Sequence, residues 1–163
     1  MYYYTNIFFL FSIIGHFLET IIHPSYDSGI LVGYWTPVYG FGVVIILLIY
    51  EVIEEKIINR KWLRPILLVV ISTIILSVME MIGGYLIQMV FHRVFWNYKG
   101  HKFNIGLYTS LEMAGVWGIA SLIIVYILRP ILNLFINKIP KWITWVLVFL
   151  FILDILYKVS TIF

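Results

Sequence analysis

Three glutamates, Glu19, Glu80 and Glu112, stand inside stretches of sequence that are otherwise almost wholly apolar. An acidic side chain in hydrocarbon is expensive, so it faces a bundle interior or a wet cavity. There it can bind a polar solute, relay protons or hydrogen-bond a neighbouring helix. His16 precedes Glu19 by three residues and shares its helix face, as a proton-handling partner or as a satisfied interhelical donor. Asp154 is a further acid at mid-span by count, expected to pair with another helix. His-x-x-Glu alone is too short for a metal site, and His23, His92 and His101 show no ligand spacing and belong at the membrane interface. Cysteine is absent, which excludes disulfides and thiolate metal sites. There is no Gly-x-Ser-x-Gly nucleophile motif and no Gly-x-x-x-x-Gly-Lys-Ser/Thr phosphate loop. No catalytic, metal or cofactor-binding residue is therefore assigned.

The elements that position these acids follow from composition. The 163 residues are 63% hydrophobic and 12% charged, with a mean hydropathy of +1.01. Soluble domains are about half apolar and about a quarter charged. Runs of about 20 nearly uncharged residues reach across a hydrocarbon core of roughly 30 Å. The expected fold is all-α, a polytopic transmembrane helical bundle of about five spans forming a single integral membrane domain over residues 1–163. The spans read as Tyr4–Ile22, Pro37–Ile58, Pro65–Phe91, Ile105–Leu128 and Trp142–Val159, with a short interfacial piece at Ile131–Ile139. Pro37 suits a first-turn position, where its missing N–H costs nothing. A polar, glycine-rich stretch (Ser25, Asp27, Ser28, Gly29, Gly33) and a polar, aromatic one (His92–Asn104) join spans on the same side. The amino-terminal run has neither a basic leader nor a small-residue cleavage site, so it is read as a retained helix.

Loop charge orients the spans. Lys56, Arg60, Lys61, Arg64, Arg129, Lys138 and Lys141 lie on the amino-terminal side, against Arg93, Lys99, Lys102 and Lys158 on the other. This bias predicts a cytoplasmic N-terminus. Glu19 and Glu80 then sit about fifteen residues along outward-running helices, and Glu112 roughly 10 Å below the outer surface. Three carboxylates are expected to meet there, beside the loops Gly33–Gly42 and Phe95–Asn104. The candidate substrate-binding set is Glu19, Glu80 and Glu112, with His16, Tyr39, Trp96, Tyr98 and Asn104 around them. The aromatic residues also suit the belt at the headgroup level. Gly40/Gly42, Gly83/Gly84 and Gly115-x-x-Gly118 permit close helix approach.

Gly15-His16-Phe17-Leu18-Glu19, Pro37-Val38-Tyr39-Gly40-Phe41-Gly42, Glu80-Met81-Ile82-Gly83-Gly84, Trp96-Asn97-Tyr98, Phe103-Asn104 and Trp117-Gly118 follow one another in order. Over about Ile7–Ala120 this set resembles the ABC-transporter type IV (CmpB-like) family of bacterial membrane proteins. His16 stands where that family has Trp, Asn97 where it prefers Asp, and Gly106 follows Phe-Asn one residue early. The resemblance implies a permease in a bacterial inner (plasma) membrane.

The function expected is a permease-like or substrate-capture protein with an outward-facing polar pocket lined by intramembrane carboxylates. The alternatives are an intramembrane enzyme acting on a lipid or lipid-linked substrate, or an accessory subunit of a larger membrane complex. Its partners would be the lipid bilayer, a small molecule or lipid, a separate ATPase or membrane subunit, or further copies of itself. No basic stripe suggests nucleic acid.

Overall fold

The computed structural model describes residues 2–22, 30–57 and 59–161. Among these residues, five helical spans are long and apolar enough to cross a membrane: Tyr2–Ile21, Pro37–Lys56, Leu63–Phe91, Leu111–Lys138 and Lys141–Ser160. The protein is thus an all-α, five-span membrane protein. The elements are α1 (Tyr2–Ile22), α2 (Pro37–Lys56), α3 (Leu63–Phe91), β1 (Asn104–Ile105), β2 (Thr109–Ser110), α4 (Leu111–Leu122), a π-helical stretch (Ile123–Leu128), α5 (Arg129–Phe135), a 3₁₀ turn (Ile136–Lys138) and α6 (Lys141–Ser160). His23, Ile58 and the polar positions from Pro24 to Gly29 lie outside the described residues.

The fourth span differs from expectation at both ends. It begins at Leu111 because residues 104–110 form a two-stranded antiparallel hairpin, Asn104 opposite Ser110 and Ile105 opposite Thr109. Gly106 turns the hairpin with φ +70°, a conformation that side chains with a Cβ rarely adopt. Ser110 then caps α4, its Oγ accepting from the Met113 N–H at 3.1 Å. Nor does the span close at Arg129-Pro130. Proline lacks the N–H for an i−4 bond and crowds the carbonyl there. The helix widens instead, and the Arg129 N–H reaches the Ile124 carbonyl five residues back. Ile131–Ile139 is accordingly the last part of the fourth span and its exit, and not a separate interfacial piece.

The chain divides into two compact units, one built from residues up to Val44 and from Ile131 onward, the other from Ile45–Pro130. In the first unit, α1 packs on α6 and on the 3₁₀ turn. Thr144 Oγ1 donates to Asn6 Oδ1 at 2.8 Å, and both residues are buried. Polar pairs of this kind lock helices in register where lipid supplies no hydrophobic drive. The rings of Phe8, Phe9, Trp35 and Phe151 meet at 5.1–6.2 Å, filling the space beside α1. A Cβ on Gly40 would run into the Phe8 carbonyl and Ser12 Oγ, so glycine sets the approach of α2 to α1. Apart from its buried Thr144, α6 presents most of its apolar length outward.

In the second unit, α3 buries Leu68, Ser72, Leu76, Glu80 and Gly84, a four-residue repeat that traces one stripe. α4 supplies Ala114, Trp117, Gly118 and Ser121. A Cβ on Gly118 would meet Thr73 Oγ1 at 2.7 Å and Val69 at 3.2 Å, the small-residue contact of a close helix pair. Gly115, expected to share that role, has open space around it. Away from the hairpin, Arg64 pairs with Glu54 at 3.4 Å and Arg129 with Glu51 and Glu54 at 3.8 and 3.5 Å. Arg129 also lies over the Tyr50 ring, 5.1 Å from its centroid.

Candidate functional site

Glu80 is the buried acid of the second unit, only 6% exposed. Its place on the α3 stripe turns it towards α4 and the hairpin. Tyr98 Oη donates to Glu80 Oε1 at 2.9 Å, and Thr109 Oγ1 to Oε2 at 3.1 Å. Trp117 of α4 joins them around the carboxyl group. Both hydroxyls come from the 92–110 segment, which is tied down on each side of them. The Tyr98 N–H donates to the Leu107 carbonyl at 2.9 Å, and the Leu111 N–H to the Phe103 carbonyl at 2.9 Å. Trp96 Nε1 donates to the Tyr108 carbonyl at 3.3 Å. Asn104 does not reach the carboxylates; its Nδ2 donates to the Gly106 carbonyl at 3.0 Å and braces the turn.

Tyr108 is the wedge of this cap. It is 1% exposed, its ring lies against Gly84, and its hydroxyl donates to Gln88 Oε1 at 2.8 Å. Burial pushes its phenol above the ordinary value of 10.0, and the neighbouring Tyr85 adds to the shift. The group favours the protonated state in the fold. Its contribution to stability is therefore full below pH 10.0 and is lost as pH rises through the higher folded value. In an ultraviolet phenolate titration, Tyr108→Phe should remove a late-ionising tyrosine; loss of an early one instead would contradict this environment.

Glu112 stands in the first turn of α4, where the helix dipole favours an acid. It is 47% exposed and bonded to His101 Nδ1 at 2.7 Å. The late start of α4 brings it close to the helix end and not seven residues into a span. The His101 ring meets the Tyr98 ring edge-on at 5.1 Å, so the exposed pair adjoins the buried group through one aromatic contact. Asn97 is exposed.

The remaining candidates belong to the first unit. Glu19 Oε2 accepts from Thr36 Oγ1 at 3.3 Å. The His16 ring lies 5.4 Å from that of Tyr34, and its Nδ1 is buried with no hydrogen-bond partner among the described residues. Tyr39 packs its ring on Gly15. Asp154 of α6 is held by three N–H donors. Its Oδ1 accepts from the Val32 N–H at 3.0 Å, and its Oδ2 from the Gly33 N–H at 2.8 Å and Trp35 Nε1 at 2.7 Å. Asp154 thus pairs with the segment entering α2, and not with another helix. A cleft of about 100 Å³ also opens in this unit, lined by Tyr2, Thr5, Thr144, Trp145 and Val148, with no acid among them.

The Glu80 and Tyr98 pairing joins two candidates read from sequence. Thr109, Trp117 and Asp154 lie outside the candidate substrate-binding set. Thr109 carries no signal until the hairpin is known. Asp154 is conspicuous as a lone acid in an apolar helix, but nothing local names its partners. The family model for Putative ABC-transporter type IV matches residues 6–161. The chain belongs to that family. The match extends past Ala120, through the fourth span and Asp154, and makes this a transport-related membrane protein. No curated protein and no solved structure matches the chain.

Proposed function

We propose that this member of the Putative ABC-transporter type IV family is a permease-like or substrate-capture subunit whose polar pocket is centred on Glu80. The observation that carries the reading is the buried Glu80 carboxyl, held by two hydroxyls and by no cationic side chain among the described residues. A group that served helix cohesion alone would be replaceable by an apolar residue at little cost, since polar contacts in membranes contribute about 0.6 kcal/mol on average. Keeping an acid there costs far more than such a contact returns. Tyr98, Trp96 and Asn104 shape the cap over it, and Glu112 with His101 marks its approach. Glu19, with His16 and Tyr39, is the corresponding candidate of the first unit.

The excess of Lys and Arg on the amino-terminal side supports a cytoplasmic N-terminus in a bacterial plasma membrane, with the 92–110 cap facing outward. These 163 residues hold no phosphate loop for ATP, so ATP-driven transport would use an ATPase outside them.

The test compares cells lacking the protein, cells with the wild type and cells with Glu80→Gln, matched for membrane protein level. Intracellular solutes and extracted lipids are profiled by mass spectrometry. A solute whose level follows the wild type, and falls to that of the deletion with Glu80→Gln, is the expected result. Full complementation by Glu80→Gln would overturn the reading. A changed lipid with unchanged solutes would replace it with the intramembrane enzyme.

A further inference from the structure

We infer that the ligand of the Glu80 site is a protonated amine, which binds by taking the carboxyl oxygens from the Tyr98 and Thr109 hydroxyls. The inference rests on the capture reading and assigns it a substrate class.

In the second unit, Glu51 and Glu54 lie against Arg129, Glu54 also against Arg64, and Glu112 against His101. These three acids are exposed, as is Glu55, for which no ion pair is seen among the described residues, and water already offsets much of the cost of their charge. Glu80 is the acid that most needs a counterion, and among the described residues it has none. A buried carboxylate without one is costly, so its balancing charge has to arrive as a proton or as a cation from outside the chain. An anionic solute would compound the cost.

The donors around the Glu80 carboxyl indicate what kind of cation. Tyr98 and Thr109 each place one O–H on one carboxyl oxygen, at 2.9 and 3.1 Å. An ammonium group replaces both with charge-assisted N–H bonds, which are roughly twice as strong as neutral ones. A third N–H needs an acceptor. Ser77 precedes Glu80 by three residues on α3, hence on a neighbouring face, and its Oγ is buried with no hydrogen-bond partner among the described residues. Trp117 and Tyr98 add aromatic surface, which attracts cations through the ring quadrupole. Carboxylate, unpartnered hydroxyl and aromatic rings together describe an amine site. Asp154 is the counter-example within the same chain. It is satisfied by three N–H donors, two of them backbone groups, and offers a ligand nothing to exchange.

The purified full chain in mild detergent is titrated with n-butylammonium chloride while tryptophan fluorescence is followed. Sodium chloride, tetramethylammonium chloride and sodium butyrate are run in parallel. The expected result is a saturable change with butylammonium alone. Loss of one charged hydrogen bond weakens binding roughly tenfold or more, which is the effect expected of Glu80→Gln. Ser77→Ala weakens it about threefold, and Tyr98→Phe, which removes a competing donor, tightens it by a similar factor. The Tyr98→Phe gain keeps the test decisive should Glu80→Gln fail to fold, because lost packing cannot raise affinity. Absence of saturation, an unchanged Glu80→Gln response, or equal binding of tetramethylammonium or sodium overturns the amine assignment. If butylammonium fails while solute levels in cells still depend on Glu80, the amine assignment falls and the capture reading stands. If neither depends on Glu80, both fall.

Discussion

Replacing Asp154 with alanine should lower the thermal midpoint of the detergent-solubilised protein by roughly 5–15 °C, the shift that a loss of about 2–4 kcal/mol produces in a chain of this size. Three N–H donors converge on this carboxylate, from Val32, Gly33 and Trp35. Removing the acceptor leaves them to find water or remain unpaired, and each unmet buried donor costs about 1–3 kcal/mol. The loss stays below the simple sum because Val32 is exposed and its N–H can be hydrated. Trp35 and Thr36 are buried, and the Thr36 N–H donates to the Ser12 carbonyl of α1 at 2.9 Å. Release at Asp154 therefore loosens the entry to α2 as well. Asp154→Asn keeps an oxygen acceptor and should lose less than half as much. A midpoint within 2 °C of wild type, on the order of 0.5–1 kcal/mol, for Asp154→Ala would show that the carboxylate carries no load.

Gly84→Leu should also destabilise the protein, and its damage should reach the site. A Cβ on Gly84 would fall within the Tyr108 ring, which is itself buried and anchored to Gln88. Overpacking a filled contact costs about 1–3 kcal/mol, and more when neither neighbour can move. Neither can here: Gly84 is helix backbone, and Tyr108 is held in a hairpin by Gly106 on one side and Thr109 on the other. The strain is relieved by lifting the hairpin, which takes Thr109 Oγ1 off Glu80. Gly84→Leu should thus lower the thermal midpoint by roughly 5–10 °C and impair the solute response. Gly83→Leu, where open space surrounds the added carbon, should do neither. Equal effects at the two adjacent glycines would refute the wedge.

The legibility of the site followed the range of the interactions. Glu80 and Tyr98 were both readable as chemistry-bearing residues, because an acid in an apolar run and an aromatic in a polar loop stand out locally. Their contact spans 18 positions, and Thr109 reaches Glu80 across 29. No periodicity within one element encodes such distances. Glu112 is nearer the start of its helix than its count from Ile105 suggests, for a related reason. Asn104–Ser110 is apolar enough to continue a helix by count, whereas Gly106 and the Ser110 cap make it a hairpin.

Sequence alone determined that the chain crosses a membrane, that it does so about five times as helices, and which acids are out of place in lipid. These are properties of length and of transfer into hydrocarbon, summed over neighbouring residues. Tertiary structure decided that Glu80 is held by hydroxyls, that Glu112 meets His101, and that Asp154 fastens the start of α2. It also decided that the fourth span runs through Pro130 by widening its turns. A buried polar group takes whichever partner the fold brings within about 3 Å, and that depends on residues remote along the chain.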